Sequence, residues 1–268
     1  MYFTKIRLNG LSVIDFPIVG ALPSDPYILK NVDGLGPPEV DVALAKTLNA
    51  GAVYQGRRPQ TREPVLLIGL NPDFTVGQTV SDLRVNLYGM LTPGYVDRIK
   101  LDIMDEDAVL ASTTGYLKKF EIVPFSKDPE VQLTIACLDQ YLIAPDELYL
   151  TPDKLAPTID NIGTAPAGFY MEAIFTAPQT EWALFDPNGY TEMRIVYSFL
   201  TGDKLIIDTR PGRRGIWVDR GGVKTNIIWA LTVQSVWYML HGGENIFNTT
   251  SQTFDWGDVF FLPQYWGV

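Results

Sequence analysis

Met193-Arg194-Ile195-Val196-Tyr197-Ser198-Phe199-Leu200, followed by Thr201-Gly202-Asp203 and then Lys204-Leu205-Ile206-Ile207-Asp208, carries the clearest sign of the fold class. Two runs rich in β-branched and aromatic residues, parted by a short glycine-containing reversal, read as adjacent strands. Just upstream, Trp182–Phe185 reaches the same run through Asp186-Pro187-Asn188-Gly189, a reverse-turn sequence. Downstream, Pro211-Gly212 and Arg220-Gly221-Gly222 mark further reversals. Adjacent hairpins of this kind predict an antiparallel sandwich.

The same texture extends over most of the chain. Strands are expected at Phe3–Leu8, Val40–Leu44, Pro64–Leu70, Tyr95–Ile103, Ala108–Ser112, Gly115–Phe125 and Val131–Cys137. In the second half they are expected at Phe169–Phe175, Trp182–Phe185, Met193–Leu200, Lys204–Asp208, Gly215–Val218, Trp237–Met239, Asn245–Asn248 and Val259–Leu262. One helix interrupts them. Thr79 and Asp82 form a capping arrangement, and Val80, Leu83, Leu87 and Met90 or Leu91 then share one face. Thr92-Pro93-Gly94 ends it, so the helix is expected at about 79–91. Ala144-Pro145-Asp146 and Thr151-Pro152-Asp153 lie in a stretch with little periodicity, which places a domain boundary near residues 142–158.

Composition bounds the function. The 268 residues are 46% hydrophobic and 12% aromatic, with only 19% charged, against a usual ~25% charged. That suits a folded core with apolar side chains left over for an interface. Net charge is −10, split as −4 up to Leu142 (13 basic, 17 acidic) and −6 beyond it (8 basic, 14 acidic). Without a positive footprint, stable nucleic-acid binding is not expected. An acidic wall that DNA slides past is compatible. Cys137 is the only cysteine and His241 the only histidine, so an internal disulfide and every Cys/His zinc pattern are excluded. Met1 to Pro17 shows no basic segment followed by an apolar stretch, so no signal peptide is expected. No apolar run approaches the ~18 residues of a membrane span.

Catalytic motifs are not found. Leu240-His241-Gly242-Gly243-Glu244 invites comparison with an esterase oxyanion segment, but the Gly-x-Ser-x-Gly elbow that should accompany it is missing. Asp102, Asp105, Glu106 and Asp107 lack the order of a calcium loop and read as a solvated hairpin tip. Glu172, Glu181, Asp186 and Asp208 could supply a glycosidase pair, although such pairs are common on an acidic, strand-rich chain. No loop of the kind that cradles phosphate opens a helix after a strand, and no cofactor is expected. Basic residues gather twice: at Arg57, Arg58 and Arg62, and at Arg210, Arg213, Arg214, Arg220 and Lys224. Arginine forks suit pairing with carboxylates of a neighbouring subunit; solvated hairpin tips are the simpler reading.

Several segments together resemble the distal tail (Dit-like) proteins of long-tailed, non-contractile bacteriophages. Tyr27-Ile28-Leu29-Lys30-Asn31-Val32-Asp33-Gly34-Leu35-Gly36-Pro37-Pro38 resembles the entry into that family's ring-forming domain. Tyr54-Gln55-Gly56-Arg57-Arg58-Pro59-Gln60 and Ile68-Gly69-Leu70-Asn71-Pro72 follow in order. Gly115-Tyr116-Leu117-Lys118-Lys119-Phe120-Glu121 and Pro124-Phe125-Ser126-Lys127-Asp128-Pro129 are similar to its closing strand pair. Gly202–Thr209 with Pro211-Gly212 resembles a hairpin of its galectin-like domain. Ser235–Leu240 with Gly243–Ile246, and the ending Gln264-Tyr265-Trp266-Gly267-Val268, also fit the family.

The resemblance implies a mainly β protein. An N-terminal ring-forming β domain at 1–145 would carry the one helix, and a galectin-like antiparallel β-sandwich at 146–268 would follow, with the placement of its last strand open between the second domain and a return to the first. It implies a structural, non-enzymatic virion protein, made in the host cytoplasm and placed at the distal end of the tail. The expected assembly is a homohexameric ring between the tail tube protein and the tail tip or hub protein, offering a platform to receptor-binding or peripheral tail proteins. Genome DNA would pass through the lumen without stable binding, and no membrane insertion is expected. A closed ring needs a heterologous interface, for which Arg57, Arg58 and Arg62 are candidates. The alternatives are a carbohydrate-binding β-sandwich, with Trp182, Trp217, Trp229 or Trp237 as stacking platforms, and a β-sandwich glycosidase.

Overall fold

Thr79 and Asp82 close a reciprocal cap. The Asp82 carboxylate accepts from the Thr79 N–H at 2.8 Å, and the Thr79 hydroxyl accepts from the Asp82 N–H at 3.2 Å. The cap satisfies donors left open at the start of α1 (Val80–Leu91). Leu83, Leu87 and Leu91 form the buried face of α1, each contributing roughly 1.5–3 kcal/mol by leaving water. The stop signal Thr92-Pro93-Gly94 lies outside the described residues, as do Pro124–Asp128, Thr151-Pro152-Asp153 and the Asp186–Gly189 turn. The structure, a computed structural model, describes residues 3–10, 12–18, 22, 24–46, 52–91, 98–122, 129–150, 158–185, 192–250 and 253–267.

The chain divides into two units, Met1–Pro145 with Tyr265–Val268, and Asp146–Gln264. The first contains β1 (Lys5–Asn9), β2 (Val13–Pro17), β3 (Tyr27–Asp33), β4 (Val40–Lys46), β5 (Ala52–Pro59) and β6 (Val65–Leu70). After α1 come β7 (Ile99–Asp105), β8 (Ala108–Ile122), β9 (Glu130–Cys137) and β10 (Leu142–Ile143). The main sheet is nine-stranded and antiparallel; seven of its strands run in the order β2-β1-β7-β8-β9-β6-β3, and β10 pairs with β8 off this path. Alternation sets its two faces. Ile6, Leu8, Leu66, Ile68, Leu101, Ile103, Leu133 and Ile135 point into the core that α1 covers. Phe16 of β2 meets Tyr27 of β3 edge to face, ring centroids 6.1 Å apart. The two outermost strands therefore approach each other, and the sheet curls.

β8 corrects the expectation of two strands broken at Ser112–Gly115. It runs unbroken, with Asp102↔Ser112, Leu101↔Thr113 and Ile99↔Gly115 in register with β7. Gly115 is a glycine of close approach. A side chain there would stand 2.4 Å from the Ala136 carbonyl oxygen of β9.

The second unit contains β11 (Leu148–Leu150), β12 (Thr158–Asn161), β13 (Phe169–Phe175), β14 (Gln179–Phe185), β15 (Glu192–Phe199) and β16 (Lys204–Asp208). β17 (Gly215–Arg220), β18 (Val223–Asn226), β19 (Gly243–Ile246), β20 (Asn248–Thr249) and β21 (Phe254–Phe261) follow. A six-stranded sheet, β11-β21-β13-β16-β17-β18, and a three-stranded one, β15-β14-β20, share a single core. Phe169, Phe175, Trp182, Ile195, Phe199, Ile207 and Phe261 lie in it. β14 and β15 form the expected hairpin, and so do β16 and β17.

The link between β15 and β16 is different: these strands belong to opposite sheets, so Thr201-Gly202-Asp203 is an arch across the sandwich. Phe199 and Leu205 at its two ends both enter the common core. Asp203 anchors the arch, accepting from the Leu200 N–H at 2.8 Å and from the Arg220 guanidinium at 2.6 and 2.8 Å. Trp237–Met239 is not a strand; only Leu240 bridges, to Ala167. Its alternation comes from Tyr238 and Leu240 packing into the core, without a ladder. β21 pairs with both β13 and β11 and stays in the second unit.

Candidate functional site

Three arginines were singled out by the sequence, and the structure separates them. Arg62 is buried, with 2% of its surface exposed. Its guanidinium donates to the carbonyls of Gly34 and Gly36 at 3.1 and 2.6 Å, and of Gln140 and Trp266 at 3.2 and 2.7 Å. Gly34 has φ +77°, which no ordinary side chain favours, and so bends the loop that presents the two glycine carbonyls. Burial lowers the Arg62 pKa, while the planar fork serves four acceptors from three segments of the first unit. Arg62 is thus an internal brace and is not available to a neighbouring subunit. Sequence reasoning missed this because carbonyl partners leave no residue-type signal.

Arg57 and Arg58 lie on β5, exposed. β4 and β5 form a two-stranded sheet of their own, closed at its base by the Gln60 N–H donating to the Glu39 carbonyl at 2.8 Å. The ribbon extends for roughly 20 Å, at about 3.4 Å per residue. Register places Val40 opposite Pro59, Val42 opposite Arg57 and Leu44 opposite Tyr54 on one face, with Asp41 opposite Arg58 on the other. Val40, Val42, Leu44 and Tyr54 are between 45% and 58% exposed. An isolated two-stranded ribbon is marginal in water, and apolar side chains along it are a liability unless something covers them.

The open face of the main sheet is polar and internally neutralised. Arg7 grips Asp15 through two bonds of 2.6 and 2.9 Å, which hold the Asp15 carboxyl below the usual range. Lys100 meets Asp102 at 2.8 Å, Lys30 meets Glu130 at 2.7 Å, and Lys119 meets Glu121 at 2.6 Å. Asp102, expected at a solvated tip with Asp105, Glu106 and Asp107, is instead buried within β7 and also accepts from Asn9 at 2.7 Å. The turn itself is Glu106–Asp107.

The second basic group is also largely spent within its unit. Arg210 pairs with Asp208 and Glu147 at 2.7 and 3.2 Å and lies 4.9 Å from the Phe260 ring centre. Arg220 holds Asp203, Arg214 stands over Trp237 and Lys224 over Trp217, while Arg213 is exposed. Glu172 and Glu181, once candidates for a carboxylate pair, are matched to Lys204 and Arg194 at 3.0 and 3.2 Å. Asp186 lies outside the described residues. His241 is exposed beside a turn, its N–H held by the Asn245 side chain. Among the described residues, no group of three or more His, Cys, Asp or Glu is placed to hold a metal ion. Trp182 is buried, Trp217 and Trp237 are half-buried, and Trp229 is exposed.

Residues 162–264 match the family model of the siphovirus-type tail component, C-terminal domain. No curated protein matches the chain. Among solved structures, the chain is similar to the Dit (gp 19.1) protein of phage SPP1, described as a paradigm of the hub adsorption apparatus in phages infecting Gram-positive hosts. The two share 17% identity at a TM-score of 0.62, over 97% of this chain and 98% of that one. A chain of the phage P2 baseplate, in its activated conformation with calcium, gives 9% identity and a TM-score of 0.40 over 98% of each chain. That superposition is too loose to carry an argument.

Proposed function

With residues 162–264 a siphovirus-type tail component domain and the whole chain Dit-like in fold, we propose that this protein is the distal tail adaptor of a phage. It joins the last tube ring to the tail tip as a homohexameric ring. The first unit builds the ring, and the second is a platform for receptor-binding or peripheral tail proteins.

The observation that carries the ring is the β4–β5 ribbon. It has its own sheet, exposed apolar side chains and two exposed arginines, and among the described residues none of its side chains belongs to a hydrophobic core. Such an arm gains stability by lying on a neighbouring copy, and a closed ring uses that heterologous contact at every subunit. The ion-paired open face supports a lumen for passing DNA, because phosphates find its cations already engaged. No step of this role calls for catalysis.

Immunogold electron microscopy of the phage that encodes this chain tests the placement. Label is expected in one cluster at the tail end far from the head; label along the tube or on the head would contradict it. A sugar-binding second unit is the alternative, and exposed Trp229 is the observation that favours it. A glycan screen of the whole protein reads it out, with Trp229→Ala as the control that should abolish binding.

A further inference from the structure

Besides the arm, the first unit exposes apolar side chains along the segment from Phe74 to Val85, bordered by carboxylates where the arm carries arginines. Phe74 and Val76, in the 3-10 turn Phe74–Val76, are 76% and 75% exposed, and Val85 on the outer side of α1 is 64% exposed. None of these side chains belongs to the core of the unit. Two carboxylates border them, Asp73 capping the turn and Asp82 capping α1. Bonds from Thr75 and Thr79 respectively hold both below the ordinary carboxylate range, so both are anionic at neutral pH. Arg84, the only cation of α1, is half-buried.

The arm presents the converse surface. On its apolar face, Val40, Val42, Leu44 and Tyr54 share the side with Arg57. We propose that the apolar face of the β4–β5 arm seats on the Phe74–Val85 corner of a second copy of this chain, with Arg57 toward Asp73 and Asp82 of that copy. The inference rests on the ring reading and names its joint. Arm and corner are different surfaces, so the contact is heterologous and can propagate from copy to copy until it closes. Both members are apolar at the centre with charge at the margin, as subunit interfaces are. Arg58, on the other face of the arm beside Asp41, takes no part in this seat.

Cysteine cross-linking tests it. Val42→Cys and Val85→Cys are placed in one chain, with Cys137 left in place because it is buried. Mild oxidation and a non-reducing denaturing gel should give a ladder of covalent oligomers ending at the closed ring, while each single variant runs as a monomer. Arg57→Glu, at an exposed site that leaves the fold intact, should lower the oligomeric fraction in native mass spectra at least tenfold at a fixed protein concentration. A closed oligomer in native mass spectra that yields no ladder overturns this joint and leaves the ring reading standing. A single variant that cross-links to itself also overturns it, since that contact would be isologous. Absence of any oligomer overturns the ring reading, and the joint with it.

Discussion

The Arg62 guanidinium donates to the Trp266 carbonyl at 2.7 Å, joining residues 204 positions apart in the chain. The same fork holds Gly34, Gly36 and Gln140, and Gly267 packs so closely on Leu35 and Gly36 that a side chain there would touch their backbone at about 3.0 Å. Trp266 meets Tyr141 edge to face, at 4.8 Å between ring centres. Residues 265–267 thus complete the first unit, although they follow the whole of the second in sequence.

Arg62→Met keeps the bulk and removes every donor. Four carbonyls lose a charged partner in a buried site, which costs about 3 kcal/mol or more. In urea, the unfolding transition of the first unit should move to lower denaturant while that of the second stays in place. Arg62→Lys should not restore it, because one ammonium cannot span acceptors arranged for a planar fork.

Cys137 reports on the same unit. It is buried, and burial raises its pKa against the opposing effects of Thr113 and Arg62. At pH 7.5 the native thiol is protonated and shielded, so it should be inert to a thiol reagent and react fully in denaturant. Rapid labelling of native protein would contradict the described packing.

Asp203 gives the second unit an acid limb. Arg220 bonding lowers the Asp203 pKa, assisted by the Leu200 N–H and opposed by burial. With a folded-state value below the unfolded one of ~3.9, the unfolded chain takes up the proton first as pH falls. The stabilisation is therefore complete above the unfolded value and is lost as pH drops through the folded one. Asp203→Asn should lower the melting temperature of the second unit at pH 7 and flatten its decline between pH 5 and pH 2.

Arg58 lies opposite Asp41, which also accepts from Gln60 at 2.8 Å. Reversing its charge sets two carboxylates across the strands of an arm that has no core. Arg58→Glu should weaken assembly roughly tenfold, about 1.4 kcal/mol per subunit contact, by loosening the ribbon. Analytical ultracentrifugation measures this; an unchanged association constant would remove Arg58 from the account.

Legibility in the sequence follows the range of the interaction. The Thr79–Asp82 cap and the leucine stripe act within one helix, and both are plain in the residues. The β14–β15 and β16–β17 hairpins are local and equally readable. The arch at Thr201–Asp203 was read as a hairpin because both forms need the same reversal and the same buried alternation; which sheet a strand joins is decided by residues far away. The strand run is split between Ser112 and Gly115 in the sequence reading, and the reason a glycine sits there, close approach to Ala136, is invisible until β8 and β9 are paired. Of the candidate interface, Arg57 and Arg58 were found as a cluster. Arg62 was grouped with them by proximity alone, and its carbonyl partners have no signature in sequence.

The ring is tested most directly by the native mass of the purified protein together with negative-stain images of the same sample. Six copies in a closed ring with a central hole are the predicted result. A monomer at every concentration, with or without the tail tube protein, would contradict the account.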